Sequence, residues 1–125
     1  MVVFDASAVL AFVFDERGAD VVQGYLSSAI ICAPNVTEIV TRLIDEGRTA
    51  DEASNQYLAL GLPVIELDRA LALRAGVLRT IGRDRGLSLG DRACLALAER
   101  ENLVAVTADR AWQNLDLGVE IRLIR

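Results

Sequence analysis

Histidine and lysine are both missing from this chain of 125 residues. Without histidine there is no imidazole base near neutral pH, no serine or cysteine triad, and no imidazole metal ligand. Without lysine there is no P-loop lysine and no Schiff base. Aromatic residues are only 5% of the chain, so the core has to be aliphatic. The two cysteines, Cys32 and Cys94, lie among apolar neighbours, too few for a disulfide framework or a zinc site, and read as buried free thiols. The start of the chain lacks a basic leader. Its apolar stretch at Ala6–Phe14 is far short of the roughly 20 residues a membrane span needs. The expectation is a cytoplasmic protein with no membrane association.

The net charge of −5 argues on its face against a nucleic-acid partner, because phosphate contacts need surplus positive charge. Two features pull the other way. All 13 basic residues are arginine, whose planar guanidinium grips phosphate in bidentate fashion, although a GC-rich coding preference yields the same usage. If several of the acids share a site, divalent ions held there would cancel most of the excess charge. A mean hydropathy of +0.34 is high for a monomer and fits either a well-filled core or a face covered by a partner.

Residues 1–125 read as one α/β domain. Val2-Val3-Phe4 is a short buried strand, followed by a helix over Ala6–Phe14 and another over Gly18–Leu26. Ala29–Ala33 is the next strand, Asn35–Glu46 a helix, and Thr49 to about Leu60 a further helix. Val64–Leu67 is a third strand, after which Asp68 caps a long helix predicted over Arg69–Arg83. The spacing then predicts a helix over Arg92–Arg100 begun by Ser88, a strand over Leu103–Thr107, a short helix over Asp109–Asn114, and a last strand over Val119–Ile124. Strands separated by helices imply a five-stranded, mostly parallel sheet in a three-layer α/β/α sandwich. Ligands of such sheets bind beyond the carboxyl ends of the strands.

Four carboxylates fall where strands give way to helices: Asp5, Glu38, Asp91 and Asp109. Taken singly, each is better explained as a helix cap. Asp5 and Asp109 stand at N-cap positions, and both Asn35-x-x-Glu38 and Ser88-x-x-Asp91 have capping-box spacing. Capping leaves Ser7 and Thr107 unexplained, two hydroxyls placed two residues from Asp5 and Asp109. If the acids converge, each pair within about 4 Å repels by on the order of 4 kcal/mol at an effective dielectric near 20, and a cation removes that penalty. Oxygen donors without nitrogen or sulfur select Mg²⁺ or Mn²⁺ over Zn²⁺. Ions of this kind support phosphoryl chemistry by lowering the pKa of a bound water and neutralising the leaving oxygen.

The blocks Val-Phe-Asp5-Ala-Ser7-Ala, Asn35-Val-Thr-Glu38, Ser88-Leu-Gly-Asp91-Arg-Ala-Cys-Leu-Ala-Leu-Ala and Thr107-Ala-Asp109-Arg-Ala-Trp112 together resemble the PIN domain, and more narrowly the VapC-type ribonuclease toxins. The resemblance runs through the chain in order. It implies a PIN-like fold and a Mg²⁺- or Mn²⁺-dependent endoribonuclease that is a homodimer inhibited by a small VapB-like antitoxin. By position, Asp5, Glu38, Asp91 and Asp109 would be the acidic quartet, with Asp5 and Asp91 as direct ligands. Glu38 and Asp109 would act through water or complete a weaker ion site. Ser7, Asn35 and Thr107 would support the quartet. Arg92 is the first choice for a phosphate contact among Arg79, Arg83, Arg85 and Arg92, and Trp112 reads as core packing.

Two other functions stay open on the sequence. A metal-dependent phosphatase with Asp5 as nucleophile, or a receiver domain, needs a lysine and a second acid near Asp5; the chain has neither. A catalytically silent PIN-like binding module needs only that the acids cap helices.

Overall fold

The computed structural model describes residues 1–125. The strands are β1 (Val2–Phe4), β2 (Ala29–Cys32), β3 (Val64–Ile65), β4 (Val104–Thr107) and β5 (Ile121–Leu123). The helices are α1 (Ala6–Val13), α2 (Ala19–Tyr25), α3 (Ala33–Asp45), α4 (Ala50–Leu58), α5 (Arg69–Val77) and α6 (Leu89–Glu101). All strand pairings are parallel, in the order β3-β2-β1-β4-β5. The chain builds outward from β1 to β2 and β3, then returns to the other side of β1 for β4 and β5. The order therefore reverses between β1 and β4, where an open parallel sheet leaves its crevice.

The strands are short continuous apolar runs because both faces of the sheet are covered. Val2 and Phe4 point into a core shared with α1 to α4, including Val9, Ile39, Leu43 and Tyr57. Val3, between them, points into the opposite core with Leu71 of α5, most of α6 and Trp112. This two-residue alternation divides the molecule into the expected three layers. Arg74 clasps Glu99 with two hydrogen bonds of 2.6 and 2.8 Å and ties α5 to α6. Gly18 opens α2 at φ 97°, and a side chain there would strike the main chain of Ile124. Both thiols are buried and free. No helix is long and apolar enough to cross a membrane.

Some expectations need correction. The helix over Arg69–Arg83 stops at Val77 and continues as separate tight turns at Leu78–Thr80 and Arg83–Arg85. Gly76, the branched Val77 and Gly82 weaken continuous α-helix there. The Asn35-to-Glu38 capping box does not form either. Pro34 occupies the first turn of α3, Cys32 is its N-cap, and Asn35 is already helical and fully buried. The predicted short helix after β4 is a single tight turn at Arg110–Trp112, and β5 is shorter than Val119–Ile124.

Candidate functional site

Asp5 follows β1, and Thr107 ends β4, so both stand at the carboxyl edge of the sheet on either side of its switch point. Asp5 occupies the N-cap of α1 but its carboxylate caps nothing. Oδ2 instead accepts hydrogen bonds from Ser7 Oγ at 2.5 Å and Thr107 Oγ1 at 2.9 Å. The hydroxyls of Ser7 and Thr107 lie 3.1 Å apart. Ser7 Oγ also accepts from the N–H of Ala108, and Thr107 Oγ1 from the N–H of Asp109. The two hydroxyls thus lock the end of β1 to the end of β4. Asp5 is only 2% exposed, and its Oδ1 is buried without any partner. A buried anionic oxygen left bare is costly, so that atom marks a place for a ligand.

Asp91 and Asp109 do cap. Asp91 Oδ2 accepts from the N–H of Ser88 at 2.8 Å while Ser88 Oγ accepts from the N–H of Asp91 at 3.1 Å. Asp109 Oδ1 accepts from the N–H of Ala111 at 2.9 Å. Each cap occupies one oxygen, and the second takes no hydrogen bond from the protein. Capping and ligation are therefore compatible: the cap fixes the carboxylate and leaves one oxygen without a protein partner.

Glu38 reaches the site from the second turn of α3 through a gap in α6. Gly90 provides it, because a Cβ there would collide with Glu38 Oε1. Asn35 Nδ2 donates to the carbonyl of Gly90 at 3.2 Å and pins α3 against the start of α6. The sequence did not mark Gly90 as functional. Its signal was available: glycine in the first turn of a helix costs about 1 kcal/mol relative to alanine and calls for a reason. An apolar cleft of about 540 Å³, bounded by Pro34, Leu67 and Leu89, opens onto Glu38 and Gly90.

The electrostatics bind the acids into one system. Burial, reinforced by the charge of Asp91, pushes Asp5 up to about 6 despite the bonds from Ser7 and Thr107 that lower it. Burial and then the charges of Asp5 and Asp91 push Glu38 up to about 7. Asp91 is raised by burial and by Asp109, against the Ser88 cap and Arg92. Beneath them the buried Cys94 thiol is raised well above its usual range, first by desolvation and then by Asp5. No three of the acids close around a common point. The donor set nonetheless suits a hard divalent ion: it is oxygen only, with one bare buried oxygen on Asp5.

Arg92, expected to meet phosphate, sends Nη1 to the carbonyl of Ala75 at 3.0 Å, and its Nε is buried without a partner. Arg85 bonds the carbonyls of Ala111 and Gln113. Both guanidinium groups hold chain segments around the site. Trp112 is fully buried in the α6 face of the core.

The fold has close counterparts among solved structures. A toxin–antitoxin complex from Klebsiella pneumoniae contains a chain with TM-score 0.75 and 18% identity, covering 100% of this chain and 98% of that one. The VapBC2 complex of Rickettsia felis, bound to a DNA fragment from its promoter, gives TM-score 0.74 at 13% identity, with 98% of each chain covered. DNA-bound VapBC from Salmonella typhimurium gives 0.69 at 17%, with 100% of each covered. At such identities these likenesses establish the fold. No curated protein matches the sequence closely enough to count as a relative. The PIN domain model matches residues 2–117, which takes in all four acids and all but the last strand, and this chain belongs to the PIN domain family.

Proposed function

We propose that this protein is a divalent-metal-dependent endoribonuclease and acts as the toxin of a toxin–antitoxin pair. The observation that carries the chemistry is the bare, buried Oδ1 of Asp5 within a set of carboxylates that raise one another's pKa. Asp5 and Asp91 would hold the ion directly, and Glu38 and Asp109 would complete its surroundings. When bound, Mg²⁺ or Mn²⁺ supplies water activation and charge neutralisation at the phosphate. The chain's own groups do the rest. Ser7 and Thr107 orient Asp5, Ser88 orients Asp91, and the Ala111 N–H orients Asp109. Glu38, whose carboxyl is pushed up to about 7 by burial and then by the charges of Asp5 and Asp91 in the ion-free chain, would give up its proton as the ion binds.

The toxin reading is supported by the family and by the toxin–antitoxin complexes among the structural neighbours. A VapB-like antitoxin, a homodimer and a cytoplasmic setting belong to the same reading. Leu73 and Val77, 66% and 53% exposed and one turn apart on α5, offer an apolar stripe for a second subunit. In the test, protein freed of co-purifying peptide is given RNA with Mg²⁺ or Mn²⁺. Cleavage that stops in EDTA and in Asp5→Asn supports the reading; metal-independent cleavage, or full activity in Asp5→Asn, refutes it.

A further inference from the structure

An acidic site repels the polyanion it is meant to cleave, so the strand has to be held by positive charge close by. Arg92 and Arg85, the arginines flanking the Asp91 block, spend their guanidinium groups on backbone carbonyls. A second group of arginines lies elsewhere. A pocket of about 210 Å³ is lined by Ser7, Leu10 and Phe14 of the α1 segment, Glu16, Arg42 of α3 and Arg125 near the end of β5. Its Ser7 wall is the same side chain that donates to Asp5. Along α1, Ser7, Leu10 and Phe14 succeed one another at helical spacing and lead about 10 Å away from the acids. Along α3, Arg42 stands one turn beyond Glu38 on the same face. The groove between the two helices therefore runs from Ser7, the donor to Asp5, to Arg42 and Arg125.

At that end the guanidinium carbons of Arg42 and Arg48 lie 5.7 and 5.1 Å from the centre of the Phe14 ring. The ring thus meets two guanidinium groups. Arg42 also pairs with Glu46 at 2.9 Å, and Arg125 Nη1 is shared at 3.2 Å between Glu16 and the carbonyl of Arg17, at an exposed chain end. These ion pairs are solvent-exposed and trade partners readily, so a phosphate can displace either acid. The pocket is smaller than the roughly 300–1,000 Å³ of clefts that enclose whole small ligands, which suits a backbone crossing it rather than a buried nucleotide.

We propose that this α1–α3 groove is the track of the RNA strand, in which Arg42 and Arg125 take phosphates next to the one held at the acids and the Phe14 ring seats Arg42. The proposal rests on the ribonuclease reading above. Its ligand is the phosphodiester backbone of single-stranded RNA, contacted without reading bases.

The test measures binding of a short, unstructured oligouridylate to the full-length protein in EDTA across a range of salt, and cleavage of RNA with Mn²⁺ in parallel. Arg42→Gln combined with Arg125→Gln should weaken binding roughly tenfold at physiological salt. It should also reduce the slope of log affinity against log salt by about 0.7 for each phosphate that is no longer neutralised. The charge-matched pair Arg69→Gln with Arg122→Gln, on exposed positions elsewhere, should leave the slope unchanged, and Arg42→Lys with Arg125→Lys should keep most of it. If the wild type cleaves RNA but the Arg42/Arg125 pair behaves like the control, the groove is wrong and the nuclease reading stands. If the wild type neither binds nor cleaves RNA, both fall. Groove variants that lose only the capture of a protein inhibitor, with RNA binding intact, also overturn it.

Discussion

Replacing Asp5 by asparagine should stabilise the ion-free protein in mild alkali and not in acid. The carboxyl of Asp5 rises from an ordinary 3.8 to about 6 in the folded chain, chiefly through burial. At 1.36 kcal/mol per unit, those roughly two units amount to about 3 kcal/mol. The sign follows from the folded state binding the proton more tightly than the unfolded one. Stability is fully present below the unfolded pKa, falls as pH rises through the folded pKa, and stays low above it. Asparagine has no charge to desolvate, and its amide oxygen can still accept from Ser7 and Thr107. Its amide nitrogen would occupy the place of the unpartnered Oδ1. That unpaired donor costs about 1–3 kcal/mol at every pH, so only the pH dependence isolates the charge. About 1 kcal/mol of this is already lost at pH 4.5, so thermal unfolding in EDTA should favour Asp5→Asn over wild type by about 8 °C more near pH 8 than near pH 4.5, taking about 4 °C per kcal/mol at this chain length. Glu38 adds a pH dependence of the same sign in the wild type, reduced in the variant because the Asp5 charge is one of its causes. A shift of equal size at both pH values would show that the buried Asp5 charge is not the cause.

Further substitutions probe how the site is held. Gly90→Ala should displace the Glu38 carboxylate and lower kcat about a hundredfold, the scale of a 1 Å misplacement, while circular dichroism reports an intact fold; full turnover would show that Glu38 need not pass there. Thr107→Val removes a donor to Asp5 and the acceptor for the Asp109 N–H, at a cost of about 1–3 kcal/mol in urea unfolding. It should also move the pH at which stability is lost upward, since that bond lowers the Asp5 pKa. Trp112→Ala should cost about 3–5 kcal/mol by the same measurement, whereas Trp112→Phe should keep activity per folded molecule, because the ring is core with an unpartnered Nε1.

The parallel sheet was legible because Val2–Phe4, Ala29–Cys32 and Val104–Thr107 are buried on both faces and read as continuous apolar runs between helices. The positions of Asp5 and Asp109 followed from the same logic, since a residue just after a parallel strand lies at the carboxyl edge. Local rules misread Asn35. Its spacing to Glu38 matches a capping box, but its side chain answers to Gly90, far along the chain. The α1–α3 groove was invisible for the same reason. Arg42 and Arg125 are brought together only when the last strand docks beside β4, and no local pattern reports that. Arg92 stands beside Asp91 in sequence, which suggests a phosphate role, whereas its guanidinium is engaged by the Ala75 carbonyl of α5, a partner that only the packing of α5 on α6 supplies.

Calorimetric titration of the ion-free wild type with Mn²⁺, in two buffers of different ionisation heat, tests directly whether these carboxylates are a metal site. Saturable binding is expected near pH 7 with release of about half a proton per ion, chiefly from Glu38, whose carboxyl sits at about 7. Binding should be lost or greatly weakened in both Asp5→Asn and Asp91→Asn. Absence of saturable binding in the wild type, or equally tight binding by both variants, would contradict a metal site here.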